Sequence, residues 1–177
     1  PAEEFDDAYY LKKIHSSSDN LDVHRSLIET YNEKGSINIP LDIYNKAVIN
    51  NPENPIVFYA LGYTYLIEGS PEALSIAQEN LKTALELSPE FPDALSALGD
   101  YYLATGNEEL ALENWRKARQ FNEKFAPAYL SLARYYRSKK EYTRAEEEYE
   151  DGILWSSGGK DKAYLELGTM YMEMNDL

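Results

Sequence analysis

Apolar side chains along residues 91–125 recur at the spacing of two amphipathic helices. The spacing breaks at the Gly-Asn pair of residues 106–107, which is typical of a turn between helices. The apolar and small positions are Leu95, Leu98, Gly99 and Tyr102 before the turn, and Ala111, Trp115 and Ala118 after it. Small residues permit a close approach of two backbones, and the bulkier side chains fill the space between them. This stretch therefore predicts a helical hairpin.

The same pattern recurs along most of the chain. Gly62 and Gly99 are 37 residues apart, Gly99 and Ala133 are 34 apart, and Ala133 and Gly168 are 35 apart. Such periods are typical of helical-hairpin repeats, which bury their apolar faces by stacking on their neighbours. We therefore expect an all-α solenoid array over residues 21–177. Its repeats should span residues 21–54, 55–91, 92–125 and 126–160, followed by a partial repeat at 161–177.

Residues 1–20 precede this array. Residues 2–16 carry apolar side chains at mixed helical spacing, with acidic residues early and basic residues late, as the helix dipole favours. They predict one helix, either a cap or a degenerate half of a repeat. The polar run at residues 16–20 then supplies N-cap candidates for the next helix.

Prolines and glycines predict where several helices begin and end. Proline is tolerated in the first helical turn but not in a helix interior, so the second helix of the first repeat should begin near Ile39 or Pro40 and be short. In the next repeat, the Gly-Ser-Pro-Glu run at residues 69–72 combines a helix stop, an N-cap and a proline at the first helical position. We expect the helix that follows to span residues 71–87.

The repeated residues resemble the tetratricopeptide repeat, whose first helix carries an aromatic residue, Leu-Gly and Tyr, and whose second carries Ala, an aromatic residue and Ala before Pro. The matching residues are Phe58, Leu61, Gly62, Tyr65, Ala77, Ala84 and Pro89; then Leu98, Gly99, Tyr102, Ala111, Trp115 and Ala118; then Tyr164, Leu167, Gly168 and Tyr171. Leu81, Leu95 and Glu123 depart from the pattern. The first repeat is the weakest match, with His24 at the aromatic position and Ile28 in place of glycine.

The resemblance implies a right-handed superhelical solenoid of antiparallel helix-turn-helix repeats, with the first helices lining a concave groove. It places the following residues on the groove side: Arg25, Glu29, Asn32, Tyr59, Tyr63, Leu66, Ser96, Asp100, Leu103, Leu130, Arg134, Arg137, Leu165, Thr169 and Met172. The candidate partner-binding residues among these are Tyr59, Tyr63, Leu66, Asp100, Leu103, Leu130, Arg134, Arg137, Leu165 and Thr169.

An apolar, partly aromatic groove floor with two arginines suits a peptide ligand, because aromatic and Arg side chains anchor interfaces and Arg can bind a carboxylate with two hydrogen bonds. In the alternative interpretation, Arg134 and Arg137 pair with Asp100 or nearby glutamates, and the tyrosines pack between helices. The basic residues with which some family members hold the acidic tails of heat-shock chaperones are absent, which argues against that ligand.

Charge and composition exclude several function classes. Seventeen Lys and Arg residues against 31 Asp and Glu residues give a formal net charge of -14, which would repel nucleic acid and anionic membranes. The chain has no cysteine, so a disulfide framework and a thiolate site are excluded. No apolar run approaches the roughly 20 residues of a membrane-spanning helix.

The chain offers little chemistry for catalysis or metal binding. His15 and His24 are too far apart for one helix face, and His24 is expected to pack at an aromatic position. The Gly-Gly-Lys sequence at residues 158–160 lacks the Ser or Thr of a phosphate loop. The acidic run at residues 146–148 is expected on an exposed helix face. No nucleophile has an adjacent base, so we expect neither an enzyme nor a cofactor.

These observations predict a non-catalytic protein–protein interaction module, an adaptor or assembly factor that binds a peptide segment or helix of a partner. One alternative is a scaffold that self-associates as a homo-oligomer, through its convex face or through residues 164–177. Another is a regulatory segment of a larger enzyme. Residues 1–10 show no targeting signal and begin with Pro1, so we expect an excised or processed segment, and the compartment stays open between cytoplasm and periplasm.

Overall fold

The structure is a computed structural model that describes residues 20–155 and 160–175. In this part of the chain all regular structure is helical. The nine helices are α1 Leu21–Glu33, α2 Asn38–Asn50, α3 Pro55–Glu68, α4 Pro71–Leu87, α5 Pro92–Ala104, α6 Glu108–Phe121, α7 Ala126–Ser138, α8 Tyr142–Trp155 and α9 Lys160–Asn175. They form an all-α helical repeat solenoid, as the sequence predicts. The chain divides into two compact units, Pro1–Pro89 and Glu90–Leu177.

In the first unit, α3 and α4 form a tight hairpin, and α1 and α2 both pack against α3. The approach is close at Gly62, where an added Cβ would lie 2.8 Å from Leu81 Cγ and 3.1 Å from the Ala77 carbonyl oxygen. His24 is fully buried, and its Nδ1 lies 2.8 Å from the Tyr44 hydroxyl oxygen. The expected packing role of His24 is therefore confirmed.

In the second unit, α5 pairs with α6 and α7 with α8, and α9 packs against both α7 and α8. The second hairpin also contacts the first, because α7 packs against α5 and α6. Trp115 is buried at the centre of the first hairpin, where an added Cβ on Gly99 would lie 2.5 Å from its Nε1. Small residues therefore allow the close helix packing that the sequence pattern predicts.

The expected helix boundaries agree with the structure. α4 spans Pro71–Leu87, with Ser70 as its N-cap and Gly69 in the left-handed region that stops α3. α2 begins at Asn38, so Pro40 lies in its first turn, and its 13 residues make it the shortest second helix. α1 begins after Asn20, whose side-chain oxygen accepts a hydrogen bond from the Asp22 amide at 3.1 Å.

The helix predicted at residues 2–16 lies outside the described residues, and so do Gly158 and Gly159 of the Gly-Gly-Lys sequence.

The expectation that residues 146–148 lie on an exposed face is wrong for Glu148. Its side chain is only 17% exposed and forms an ion pair with Arg119 at 2.9 Å, joining α8 to α6. A buried carboxylate needs a charged or hydrogen-bonding partner, and Arg119 supplies one. Periodicity alone did not show that α6 places a guanidinium opposite this position.

Candidate partner-binding surface

The first helices of the second unit, α5, α7 and α9, lie in one layer because α7 contacts both of the others. Equivalent positions are 34 or 35 residues apart, so they form rows across the layer. The rows are Ser96, Leu130 and Leu165; Asp100, Arg134 and Thr169; and Leu103, Arg137 and Met172. This layer contains seven of the ten candidate partner-binding residues.

Asp100 is held by two hydrogen-bond donors from neighbouring helices. Its Oδ1 accepts hydrogen bonds from Trp115 Nε1 at 2.9 Å and from Ser131 Oγ at 3.1 Å. Burial raises the pKa of Asp100 to about 6, although these hydrogen bonds and the charge of Arg134 favour the ionised form. The carboxylate therefore ties α5 to both α6 and α7.

Arg134 forms an ion pair with Glu166 of α9 that uses two hydrogen bonds. Nε donates to Glu166 Oε2 at 2.8 Å, and Nη2 donates to Oε1. The Tyr149 hydroxyl donates a further hydrogen bond to Oε2 at 3.2 Å. Partial burial alone would raise the pKa of Glu166, but the Arg134 and Tyr149 hydrogen bonds and the Arg134 charge outweigh it and leave the pKa lowered.

Arg137 is paired in the same way one turn later. Its Nε donates to Glu173 Oε2 at 2.8 Å, and its Nη2 donates to Oε1. The hydrogen bonds to Glu173 raise the pKa of Arg137. Both arginines of this layer thus bind glutamates of α9, which is the pairing considered as the alternative to ligand binding.

The apolar members of the layer differ in exposure. Leu130 is buried, whereas Leu103 is 38% exposed, Leu165 71% and Met172 63%. Thr169 is half-buried, and its Oγ1 donates a hydrogen bond to the Leu165 carbonyl oxygen at 2.8 Å. The accessible apolar surface of this layer therefore comes from α5 and α9, on either side of the α7 arginines.

In the first unit, the candidate residues lie on α3. Tyr59 and Tyr63 stack with ring centroids 5.8 Å apart and an interplanar angle of 15°. Tyr59 is only 2% exposed, whereas Tyr63 and Leu66 are half-buried. Tyr59 therefore supports the position of Tyr63 and offers little surface of its own.

Sequence reasoning missed several members of this polar network. Ser131, Glu166 and Glu173 form hydrogen bonds with predicted groove residues, and Tyr149 donates one to Glu166, yet none of the four belongs to the predicted set. A partial signal was present, because Arg134 and Arg137 follow one another on one helix face and α9 carries glutamates seven residues apart.

The residues in the described ranges show no group of three or more histidine, aspartate or glutamate side chains that could hold a metal ion. None of the helices described is long and apolar enough to span a membrane.

Two family models match the chain over residues 74–120 and 126–157, and both describe a tetratricopeptide repeat. The chain is a tetratricopeptide repeat protein. The matched segments run from α4 to α6 and through α7 and α8, so they contain the α5–α6 and α7–α8 hairpins. A comparison with curated proteins gives no match.

Solved tetratricopeptide repeat proteins have the same fold. A thermophilic TPR protein of Thermus thermophilus is 22% identical, with a TM-score of 0.71 over 88% of this chain and 83% of that one. A structure of MamA is 22% identical, with a TM-score of 0.57 over 90% of this chain and 89% of that one. The APC/C hetero-tetramer Cut9–Hcn1 gives 18% identity and a TM-score of 0.67 over 95% of this chain and 33% of the other.

Tetratricopeptide repeats build surfaces from stacked hairpins, and the chain belongs to this class of protein-interaction or scaffold modules. Its described surface agrees with this class, because it contains exposed apolar side chains beside an ordered network of charged residues.

Proposed function

We propose that this tetratricopeptide repeat protein is a non-catalytic adaptor or assembly factor that binds a peptide segment or helix of a partner protein on its first helices. In the second unit, the binding surface comprises Leu103, Arg134, Arg137, Leu165 and Thr169, and the buried side chains of Asp100 and Leu130 support it from within the same layer. In the first unit, Tyr63 and Leu66 contribute contact area, supported by Tyr59. The partner is a protein, because the net charge of -14 disfavours nucleic acid.

The observation that carries this proposal is the exposure of Leu165, which is 71% accessible on α9, next to the α7 helix that presents the ion-paired arginines. An exposed apolar side chain gains free energy when a partner covers it. The arginines are kept in fixed orientations by Glu166 and Glu173, so they are ordered before a partner arrives. Ordered side chains reduce the conformational entropy that binding costs.

A selection from a random peptide library, followed by calorimetry with the enriched peptides, tests the proposal. We expect Leu165→Ser to weaken binding by about tenfold, because burying a leucine contributes roughly 1.5–3 kcal/mol. Leu154→Ser is the matched control, since Leu154 is 66% exposed on α8 in the other helix layer. If Leu165→Ser and Leu154→Ser bind every enriched peptide with equal affinity, the first helices are not the binding surface.

A further inference from the structure

Arg116 of α6 is the one arginine of the chain that has no carboxylate partner among the described residues. The ion pairs of the other five are Arg25–Asp22, Arg119–Glu148, Arg134–Glu166, Arg137–Glu173 and Arg144–Glu141. Arg116 is exposed, and its Nη2 donates a hydrogen bond to the Tyr136 hydroxyl oxygen at 3.2 Å. A guanidinium has five N–H donors in a planar fork, so most donors of Arg116 remain available.

Two glutamates near Arg116 pair with other cations. Glu113, one turn earlier on α6, forms an ion pair with Lys117 at 2.6 Å. Glu148 of α8 forms one with Arg119 at 2.9 Å. Burial raises the pKa of Glu148, and the charges of Arg119 and Arg116 oppose that shift, which places Arg116 near this carboxylate without a hydrogen bond to it. The charge of Arg116 is therefore not used by an ion pair within the described fold.

The hydrogen bond to the tyrosine does not need a charge either. In the first unit, Asn45 Nδ2 donates a hydrogen bond to the Tyr65 hydroxyl oxygen at 3.3 Å. Asn45 and Tyr65 are 20 residues apart, as are Arg116 and Tyr136, and each pair joins a second helix to the first helix of the next hairpin. A neutral amide thus makes the same packing contact, so the packing does not explain the guanidinium.

Tyr136 places a second donor beside Arg116. Its side chain is only 9% exposed, and its hydroxyl accepts the hydrogen bond from Arg116 but donates to no described residue. The guanidinium of Arg144 lies over its ring, 5.6 Å from the centroid, and adds positive charge that is shared with Glu141. A carboxylate can therefore accept one hydrogen bond from Arg116 and one from the Tyr136 hydroxyl, and the bond to Arg116 is charge-assisted.

The other charges around the site favour a ligand group with a single negative charge. Further charged residues of α6, α8 and the turns beside α7 are Glu108, which pairs with Lys139; Glu146, which accepts a hydrogen bond from Tyr171; and Glu109, Glu123, Lys124, Lys140, Glu147, Glu150 and Asp151, which form no ion pair among the described residues. Acidic residues outnumber basic ones in this set, so a doubly charged phosphoryl group would be repelled more than a carboxylate. The net charge of -14 likewise favours a partner segment that is neutral or basic apart from that carboxylate.

We propose that Arg116 and Tyr136 form a carboxylate-binding site between α6 and α7, which takes the side chain of one glutamate or aspartate of a partner protein. This site goes beyond the surface proposed above, because it is built on an arginine of a second helix and includes no residue of that surface. Unlike Arg134 and Arg137, Arg116 holds no internal glutamate that a ligand would have to displace.

Acetate is the probe for the carboxylate group, and the NMR signals of the arginine Nε–Hε groups report where it binds. The titration replaces sodium chloride with sodium acetate at a constant ionic strength of about 150 mM, so that general screening stays unchanged. We expect the Arg116 signal to shift about twofold more than that of any ion-paired arginine, because those guanidinium groups already hold a carboxylate. An Arg116 shift no larger than theirs would overturn the proposal.

A second experiment tests recognition of a protein ligand. Arg116→Asn removes the charge and, as Asn45 does beside Tyr65, keeps an amide donor near the tyrosine hydroxyl. Lys117→Asn removes a neighbouring charge and is the matched control. In selections from a random peptide library, the wild type and Lys117→Asn should enrich Asp or Glu at one peptide position, and Arg116→Asn should lose this enrichment. The proposal fails if the wild type shows no such enrichment or if Arg116→Asn retains it.

Three further comparisons define the ligand and the site. Tyr136→Phe should reduce the acetate shift of Arg116, and Tyr65→Phe, which removes the equivalent hydroxyl, should leave it unchanged. Inorganic phosphate at equal ionic strength should shift Arg116 less than acetate does, and a larger shift would assign the site to a phosphoryl group instead. Leu165→Ser should leave the acetate response unchanged, so a failure of the first-helix surface and a failure of this site give different results.

Discussion

Asp100 shows how one residue links packing to charge. Its carboxylate accepts hydrogen bonds from Trp115 and Ser131, and the positive charge of Arg134 stabilises its ionised form. Burial nevertheless raises its pKa to about 6, so the desolvation cost of the charge is larger than the gain from these contacts. The hydrogen bonds thus specify how α5, α6 and α7 fit together, and the charge itself lowers stability at neutral pH.

Asp100→Asn should therefore stabilise the protein relative to wild type more at pH 7 than at pH 4. The pKa of Asp100 is 3.8 in the unfolded chain and about 6 in the folded protein. Between these two pH values the folded state binds more protons than the unfolded state, so wild-type stability falls as pH rises. The difference in unfolding free energy between Asp100→Asn and wild type should be about 1–2 kcal/mol larger at pH 7 than at pH 4. Urea unfolding at the two pH values measures it. An identical difference at both pH values would contradict the raised pKa.

Gly99 and Gly168 occupy the same repeat position in different surroundings, so the same substitution should have opposite effects. Gly99→Ala places a methyl group 2.5 Å from Trp115 Nε1 and should cost about 1–3 kcal/mol of unfolding free energy. Gly168→Ala meets no described atom within 4 Å and should stabilise α9 by about 0.5–1 kcal/mol through helix propensity. Thermal unfolding of both variants measures the contrast, and equal effects would contradict it.

At the scale of helices, sequence reasoning succeeded where the cause is local. The predicted span of α4 was correct because Ser70 caps the helix and Gly69 stops the one before, both through contacts within a few residues. The partners of Arg134 and Arg137 could not be predicted. Glu166 and Glu173 lie 32 and 36 residues away, and several glutamates share the exposed faces. Periodicity places a side chain on a face but does not select its partner.

The pairing of Arg134 with Glu166 attaches α9 to α7, so Glu166→Gln should loosen α9 first. We expect the free energy of opening α9 to fall by only about 1 kcal/mol, because the ion pair is partly exposed and screened by water. The pKa of Glu166 is lower in the folded protein than its unfolded-state value of 4.5. The stabilisation by the ion pair is therefore present above pH 4.5 and is lost as the pH falls through the folded-state pKa.

Hydrogen exchange of α9 amides, compared at pH 7 and at pH 4 after correction for intrinsic rates, measures this effect. Glu147→Gln removes a charge from an exposed position of α8 and is the control. If Glu147→Gln increases exchange in α9 as much as Glu166→Gln, the effect is due to net charge and the ion pair is not responsible.

At the scale of the whole molecule, the dominant quantity is the net charge of -14. Much of it lies on exposed glutamates and aspartates along the helices, which repel one another in the folded chain. This excess keeps the protein in solution and favours basic partners. It also opposes the compact state, because unfolding moves like charges apart.

Added salt should therefore stabilise the protein. Raising NaCl from about 10 mM to about 150 mM shortens the screening length from roughly 30 Å to 8 Å and should raise the Tm by a few degrees. Calorimetric scans measure this shift, and KCl at equal ionic strength should reproduce it. A fall in Tm with salt would mean that the favourable ion pairs, such as Arg119 with Glu148, outweigh the general repulsion.

The two glutamates of α9 make ligand binding to the arginines of α7 an exchange reaction. A partner carboxylate that approaches Arg134 or Arg137 finds it already occupied by Glu166 or Glu173, and it must displace one ion pair to form another of similar free energy. Acidic side chains in a partner would thus add little affinity by themselves. Selection on this face would depend on how well a ligand covers Leu165 and Met172, and α9 would act as a built-in competitor that discourages indiscriminate binding of acidic peptides.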